Sequence, residues 1–108
     1  MFAPVPQAAI GAWRQGMQVF GKPVDYFESG NATGRSVRAR VVYLSAQELA
    51  NSIESYPIRV TVDARDFTAR APLKGDTVVI DDARRGVMSV AETHLGDTLI
   101  AYRLGVQG

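Results

Sequence analysis

The chain has 108 residues, of which 46% are hydrophobic and 21% are charged, and its formal net charge is +1. This balance is typical of a globular domain and excludes a disordered chain, and the small net charge excludes a broad basic surface for nucleic acid. The chain has no cysteine, which excludes disulfides, thiolate catalysis and thiolate zinc sites. We therefore expect one domain over residues 1–108, with an N-terminal helix region at 1–21 and a β-barrel at 22–108.

The N-terminal segment predicts one amphipathic helix. Its large apolar residues recur at three- and four-residue steps and share one stripe: Ile10, Trp13, Met17 and Phe20. Pro6 suits a first helical turn and Gly21 suits a stop. We expect the stripe to cover one end of its own domain, and the alternative is a surface for a neighbouring subunit. Prolines, glutamines and an arginine interrupt the segment, so we expect neither a membrane span nor an export signal.

After the helix, apolar and polar residues alternate, which predicts β-strands. Val37 and Ala39 point to one side of such a strand, and Arg38 and Arg40 point to the other. Six runs of this kind are expected, at residues 24–28, 36–44, 58–64, 77–80, 86–92 and 98–104. The sequence therefore predicts a mostly β fold, a small antiparallel β-barrel or sandwich with one N-terminal α-helix and long flexible loops.

Three polar connections are candidate protein-contact segments. The first is a small, glycine-rich loop consisting of Ser29, Gly30, Asn31, Ala32, Thr33, Gly34 and Arg35. The second, at 45–55, is predicted to hold a short helical turn and to expose Gln47, Glu48 and Asn51. The third is a charged hairpin tip, at 81–86, with Asp81, Asp82, Arg84 and Arg85 exposed. We hypothesise that these segments adapt to a partner on docking; the alternative for each is a solvent-exposed loop.

The tripeptide Gly-Asp-Thr occurs twice, at 75–77 and 96–98, each time directly before an apolar run. Glycine reaches positive φ without steric cost, aspartate accepts hydrogen bonds from turn N–H groups, and threonine starts a strand well. The sequence therefore predicts Gly75, Asp76, Gly96 and Asp97 to be structural turn residues rather than ligands.

No residue pattern indicates catalysis, a metal or a cofactor. His94 is the only histidine, and we expect it in a strand connection as a solvated turn residue. The glycine-rich loop is one residue short of a phosphate-binding loop and has Arg35 in the place of the lysine. We therefore expect no enzyme activity, no cofactor, and no catalytic, cofactor-binding or metal-binding residue.

An oligonucleotide-binding barrel is a weaker alternative. Such a site needs aromatic side chains on a basic strand face. Arg38 and Arg40 share a face, but that face carries no aromatic residue, since Tyr43 falls on the opposite one.

The second half of the chain resembles a known family. Residues 58–105 contain a strand that ends in Val-Thr-Val-Asp, a connector, Lys-Gly-Asp before a strand, a hairpin, and two closing strands separated by a glycine turn. This order is similar to that of the lambda-type head-tail joining proteins of tailed bacteriophages. The resemblance is looser over 23–44 and positional over the N-terminal helix, where the Trp13 stripe has no counterpart.

The resemblance implies a structural virion protein that forms a ring, hexameric or dodecameric, at the phage neck. Its partners would be other copies of itself, the portal or connector protein on the head side, and the tail terminator or tail tube protein on the tail side. DNA would pass through without specific binding, and no membrane would be involved. The protein would lie in the virion neck, and in the host cytoplasm during assembly. The alternatives are another neck or tail component, such as a tail terminator, and a generic β-barrel binding module.

Overall fold

A computed structural model of the protein describes residues 7–51 and 56–107. The helices are α1 (Gln7–Phe20), α2 (Ala46–Asn51) and a 3-10 helix (Ala64–Phe67). The strands are β1 (Lys22–Phe27), β2 (Arg35–Tyr43), β3 (Ile58–Asp63), β4 (Thr77–Ile80), β5 (Ala83–Leu95) and β6 (Thr98–Val106). The predicted mostly β fold and all the predicted strands are confirmed. Pro6, the expected first residue of the helix, lies outside the described residues.

The strands form a closed antiparallel barrel in the order β1-β2-β3-β6-β5-β4. The chain builds this barrel as two meanders, β1–β2–β3 and β4–β5–β6. Pairing of β3 with β6 and of β1 with β4 joins the meanders along two seams. The connector from β3 to β4 therefore has to cross one end of the barrel.

Inward-facing side chains fill the barrel. The alternation predicted for β2 is confirmed, because Val37 and Ala39 are buried while Arg40 is exposed. The other buried core residues on the strands are Val24, Tyr26, Ile58, Val60, Val62, Val78, Ile80, Val87, Tyr102, Leu104 and Val106. Most are branched aliphatic residues, which pack well against neighbours on a pleated surface.

The 3-10 helix closes the barrel end that the connector crosses. Asp63 starts this helix, and its carboxylate accepts a hydrogen bond from the Arg65 N–H at 2.9 Å. The helix delivers the buried Phe67 ring to the core, where its centroid lies 5.0 Å from that of Tyr26 and 5.9 Å from that of Tyr102. Both contacts are edge-to-face, the arrangement that aromatic quadrupoles favour.

Helix α1 lies against the outside of the barrel. Its buried residue Ile10 packs with Ile100 and Ala101 of β6, and Met17 is also buried. The predicted stop at Gly21 is confirmed, because α1 ends at Phe20; a Cβ on Gly21 would lie 2.3 Å from the Met17 carbonyl oxygen, which explains the need for glycine there. No helix in residues 7–51 and 56–107 has the length and apolar character that crossing a membrane requires.

The short helical turn predicted after β2 is confirmed as α2. Ser45 caps it, since its hydroxyl oxygen accepts a hydrogen bond from the Glu48 N–H at 3.1 Å. The remainder of the predicted contact segment, residues 52–55, lies outside the described residues.

Candidate interaction surface

The glycine-rich loop between β1 and β2 is tied to the barrel at both ends. At its start, the Ser29 N–H donates a hydrogen bond to a carboxylate oxygen of Asp76 at 2.9 Å. At its end, Arg35 belongs to β2, and its guanidinium lies 4.6 Å from the Phe67 ring centroid and donates to the Asp66 carbonyl. Ser29 and Arg35 are exposed but tied to the barrel by these contacts, so the exposed part without such ties is the middle, consisting of Gly30, Asn31, Ala32 and Thr33.

Asp76 is a fully buried hydrogen-bond hub. Its carboxylate accepts hydrogen bonds from the Tyr26 hydroxyl at 2.5 Å and from two Arg70 nitrogens, each at 2.9 Å. The backbone N–H groups of Ser29 and Leu73 also donate to it, each at 2.9 Å. This one side chain therefore holds together β1, the glycine-rich loop and the end of the connector.

The two Gly-Asp-Thr tripeptides differ in their aspartates. Gly75 and Gly96 both have positive φ, at 100° and 59°. Asp76 is buried, whereas Asp97 is exposed in the two-residue turn between β5 and β6. The same tripeptide thus forms a turn in both places, but only the first turn has an aspartate that binds residues distant in the sequence.

The contacts of Asp76 set its ionisation. Burial alone would raise the pKa of this carboxyl, but the hydrogen bonds from Arg70 and Tyr26 outweigh burial and hold the pKa well below its usual range. Burial and the hydrogen bond to Asp76 together raise the pKa of the Tyr26 hydroxyl. The native hub therefore consists of a carboxylate, a guanidinium and a neutral phenol.

We expect acid to destabilise the protein partly through this hub. A carboxyl whose folded pKa is depressed contributes stability above its unfolded pKa, about 3.9, and that stability is lost as pH falls through the lower folded value. Urea unfolding between pH 7 and pH 2 should show a steep loss of stability in the wild type and a shallower loss in Asp76→Asn. Some loss of stability in acid should remain in both proteins because of Asp63, whose pKa is lowered by hydrogen bonds from Arg65 that outweigh its burial. The same loss of unfolding free energy with falling pH in the two proteins would contradict this prediction.

Two of the predicted contact segments meet at Phe27. The guanidinium carbon of Arg84 lies 4.0 Å from the Phe27 ring centroid, and its Nε donates to the Thr77 hydroxyl at 2.8 Å. A Cβ on Gly34 would lie 2.7 Å from atoms of the same ring, so the loop backbone packs directly on it. The end of the glycine-rich loop and the start of β5 thus form one continuous surface.

The predicted hairpin tip is shorter than expected. Asp81 and Asp82 form the turn, with φ of 51° and 64°, which is the conformation of a two-residue hairpin turn. The expectation that Arg85 is exposed was wrong, because residues 83–86 pair with β4 and place Arg85, half-buried, inside β5. The Tyr43 hydroxyl donates to Asp81, and Lys22 lies 4.0 Å from it, so Asp82 is the freer carboxylate.

The expected location of His94 was also wrong. His94 lies within β5, opposite Leu99 of β6, because this strand continues to Leu95. Its Nε2 lies 3.6 Å from a carboxylate oxygen of Glu92, and both side chains are substantially exposed. Within the described residues, no three His, Asp or Glu side chains are grouped as metal ligands would be.

The predicted contact residues do not form a single surface. Gly30–Thr33 lie near the end of β4 that follows Asp76, and the Arg84 side chain reaches that end through Thr77 and Phe27, whereas Asp82 lies at the opposite end of that strand. Gln47 and Glu48 are exposed on α2. Asn51 ends that helix.

An exposed apolar groove, which the sequence did not predict, lies between α1 and the outer faces of β2 and β3. It has a volume of about 300 Å³ and is lined by Trp13, Gly16, Met17, Phe20, Arg40 and Thr61. Val19 and Phe20 at the end of α1 are 67% and 75% exposed. The prediction that Phe20 packs with the rest of the apolar stripe is wrong, because its side chain lies at the exposed rim of this groove.

Arg40 is the charged residue of this α1 groove. Within the described part of the chain it has no hydrogen-bond, ion-pair or ring partner. Arg35, Arg65 and Arg70, in contrast, are each paired with a carboxylate. The α1 groove therefore combines exposed apolar surface with an uncompensated cation.

Comparison of the chain with protein-family models and with curated proteins finds no match.

Proposed function

We propose that the chain is a structural subunit of a homo-oligomeric ring at the neck of a tailed bacteriophage, where it joins the DNA-filled head to the tail. The observation that carries this proposal is the α1 groove, an exposed apolar surface on the outside of a barrel whose interior is filled by side chains. Exposed apolar patches with polar rims mark protein–protein contacts. The resemblance of residues 58–105 to head-tail joining proteins supplies the identity of the assembly.

The proposed ring contains six or twelve copies. The portal or connector protein contacts one of its faces, and the tail terminator or tail tube protein contacts the other. DNA passes through without specific binding, and the net charge of +1 supports this, since a strongly basic lining would retain phosphate groups. The protein acts by contact and not by catalysis, and it resides in the virion neck after assembly in the host cytoplasm.

We expect deletion of residues 30–34 to abolish joining of heads to tails while the barrel stays folded. This segment contains the exposed middle of the loop, and its removal takes away a docking surface without removing any core residue. The measurement is the yield of joined particles after purified protein is added to an extract that contains filled heads and free tails.

The matched control for this deletion is Asp97→Ala, an exposed change in another turn, which should join particles as the wild type does. Circular dichroism should show the same β spectrum for all three proteins. Normal joining by the folded deletion variant would refute the role of the loop.

A second candidate function is binding of single-stranded nucleic acid. Helix α1 places Trp13 and Phe20 beside Arg40 in the α1 groove, and aromatic rings next to a cation suit base stacking. Trp13 is the single tryptophan of the chain, so its fluorescence reports on the groove directly. Quenching by oligothymidylate that weakens with salt and is lost in Arg40→Ala would favour this candidate, whereas unchanged fluorescence would refute it.

A further inference from the structure

We infer that the α1 groove is the site at which a neighbouring copy of this chain docks, through helix α2, with Glu48 of one copy pairing with Arg40 of the next. This inference rests on the proposed ring and names one of its subunit contacts.

The α1 groove offers two complementary features to a partner. Met17, Trp13 and Phe20 give it an apolar lining, and Phe20 is 75% exposed. Arg40 gives it a positive charge that no described residue neutralises. Such a groove fits a segment that presents an apolar side chain next to a carboxylate, because the apolar part is removed from water while the charges fix the register.

Helix α2 presents this combination of groups. Glu48 is exposed, and its side chain has no partner among the described residues, while the half-buried Leu49 beside it leaves only part of its side chain open to a partner. Among the residues that the structure describes, the other exposed carboxylates without a side-chain partner lie in two-residue turns, at Asp82 and Asp97, or within a strand that is paired on both sides, at Asp25.

Helix α2 is little packed within its own subunit. An isolated helix of six residues is too short to be stable in water, since most helical stability in proteins comes from packing. Apart from the half-buried Leu49, residues 46–50 of this helix are exposed. Docking against another copy would add to the packing that Leu49 already has within the subunit.

The contact has the symmetry that a ring requires. The α1 groove lies against the outer faces of β2 and β3, whereas α2 lies beyond the end of β2. When one surface of a subunit binds a different surface of the next subunit, the interface is head-to-tail. Such interfaces close into a ring when the rotation between neighbouring subunits is a whole fraction of a full turn.

Charge reversal tests the pair. In sedimentation velocity of the full chain, Arg40→Glu and Glu48→Arg should each raise the dissociation constant of self-association at least about tenfold, and the double variant should return within about threefold of the wild type. Lys74→Glu and Asp97→Arg are the matched controls at exposed positions, and they should associate as the wild type does. Single variants that associate normally, or a double variant that is not rescued, would overturn the pairing.

Disulfide trapping tests whether α2 of one copy lies in the α1 groove of the next. The chain has no cysteine, so only the introduced cysteines can form disulfides. Thr61→Cys protein mixed with Gln47→Cys protein should form a mixed disulfide on oxidation, both in solution and in assembling extracts. Thr61→Cys mixed with Asp97→Cys should not. Preferential dimers of Thr61→Cys with itself would overturn the inference, because the α1 groove would then face another groove.

The failure of this inference can be distinguished from failure of the proposed function. Normal particle joining with intact association of both charge variants would overturn the Glu48–Arg40 contact and leave the neck function standing. Failure of the wild-type protein to restore joining in extracts would overturn the neck function itself. Loss of association in Phe20→Ser but not in Glu48→Arg would assign the α1 groove to a different occupant and overturn the role of α2.

Discussion

Replacing Asp76 by alanine is expected to lower the free energy of unfolding by about 3–5 kcal/mol, the usual cost of removing one partner from a buried ion pair. The change removes the nearer of two counterions from Arg70, which keeps Glu28 at 4.0 Å, and leaves the buried Tyr26 hydroxyl without its acceptor. It also releases the Ser29 and Leu73 N–H groups that position the loop and the connector. Several polar groups thus lose their partner in a single substitution.

The sequence itself provides the control for this experiment. Asp97→Ala changes the same residue in the same tripeptide, but at an exposed turn, and should shift the free energy of unfolding by less than about 0.5 kcal/mol. Urea denaturation at pH 7 measures both variants against the wild type. Equal effects of the two substitutions would show that Asp76 acts only as a turn residue.

Replacing Phe67 by alanine is expected to lower the free energy of unfolding by a similar amount, about 3–5 kcal/mol, through lost burial and the cavity it leaves. The ring closes the barrel end and contacts Tyr26 and Tyr102 edge-on. The Arg35 guanidinium lies 4.6 Å from the Phe67 ring centroid and 6.0 Å from that of Tyr26. Phe67→Leu keeps most of the volume and should cost less than about 1.5 kcal/mol.

Leu73→Ala is the comparison for the Phe67 variants, because Leu73 belongs to the same connector but is 52% exposed. It should change the free energy of unfolding by less than about 0.5 kcal/mol. Near-ultraviolet circular dichroism should report the loss of tyrosine packing in Phe67→Ala only. A Phe67→Ala protein as stable as Leu73→Ala would show that the 3-10 helix does not close the core.

The fold was predictable because its signals are local. Alternation with period two indicated the strands, and glycine indicated the turns at Gly75 and Gly96, whereas the turn between β4 and β5 is formed by Asp81 and Asp82. The start of β5 was less clear, since Arg84 and Arg85 look like a charged turn until their pairing with β4 is known. Pairing with a neighbouring strand overrides the preference of charged residues for turns.

The candidate site was not predictable in the same way because it depends on tertiary contacts. The two Gly-Asp-Thr tripeptides are identical, and only the arrival of Arg70 and Tyr26 at one of them makes Asp76 a hub. Alternation along β2 shows which residues share a face of that strand, but it does not show which helix packs on that face. The aromatic rings beside Arg40 come from α1 and could not be predicted from β2 alone. Helical spacing of apolar residues also does not show which of them are buried: Ile10 and Met17 are, and Phe20 is not.

The two seams of the barrel have a consequence for how the protein is made. Both seams join the first meander to the second, so neither meander finds its edge partners within itself. A nascent chain that has emerged only through β3 has a hydrophobic sheet without its closing strands. Such long-range pairing slows folding and prolongs exposure of aggregation-prone surface. Fragments that end before residue 77 should therefore accumulate as insoluble material during synthesis.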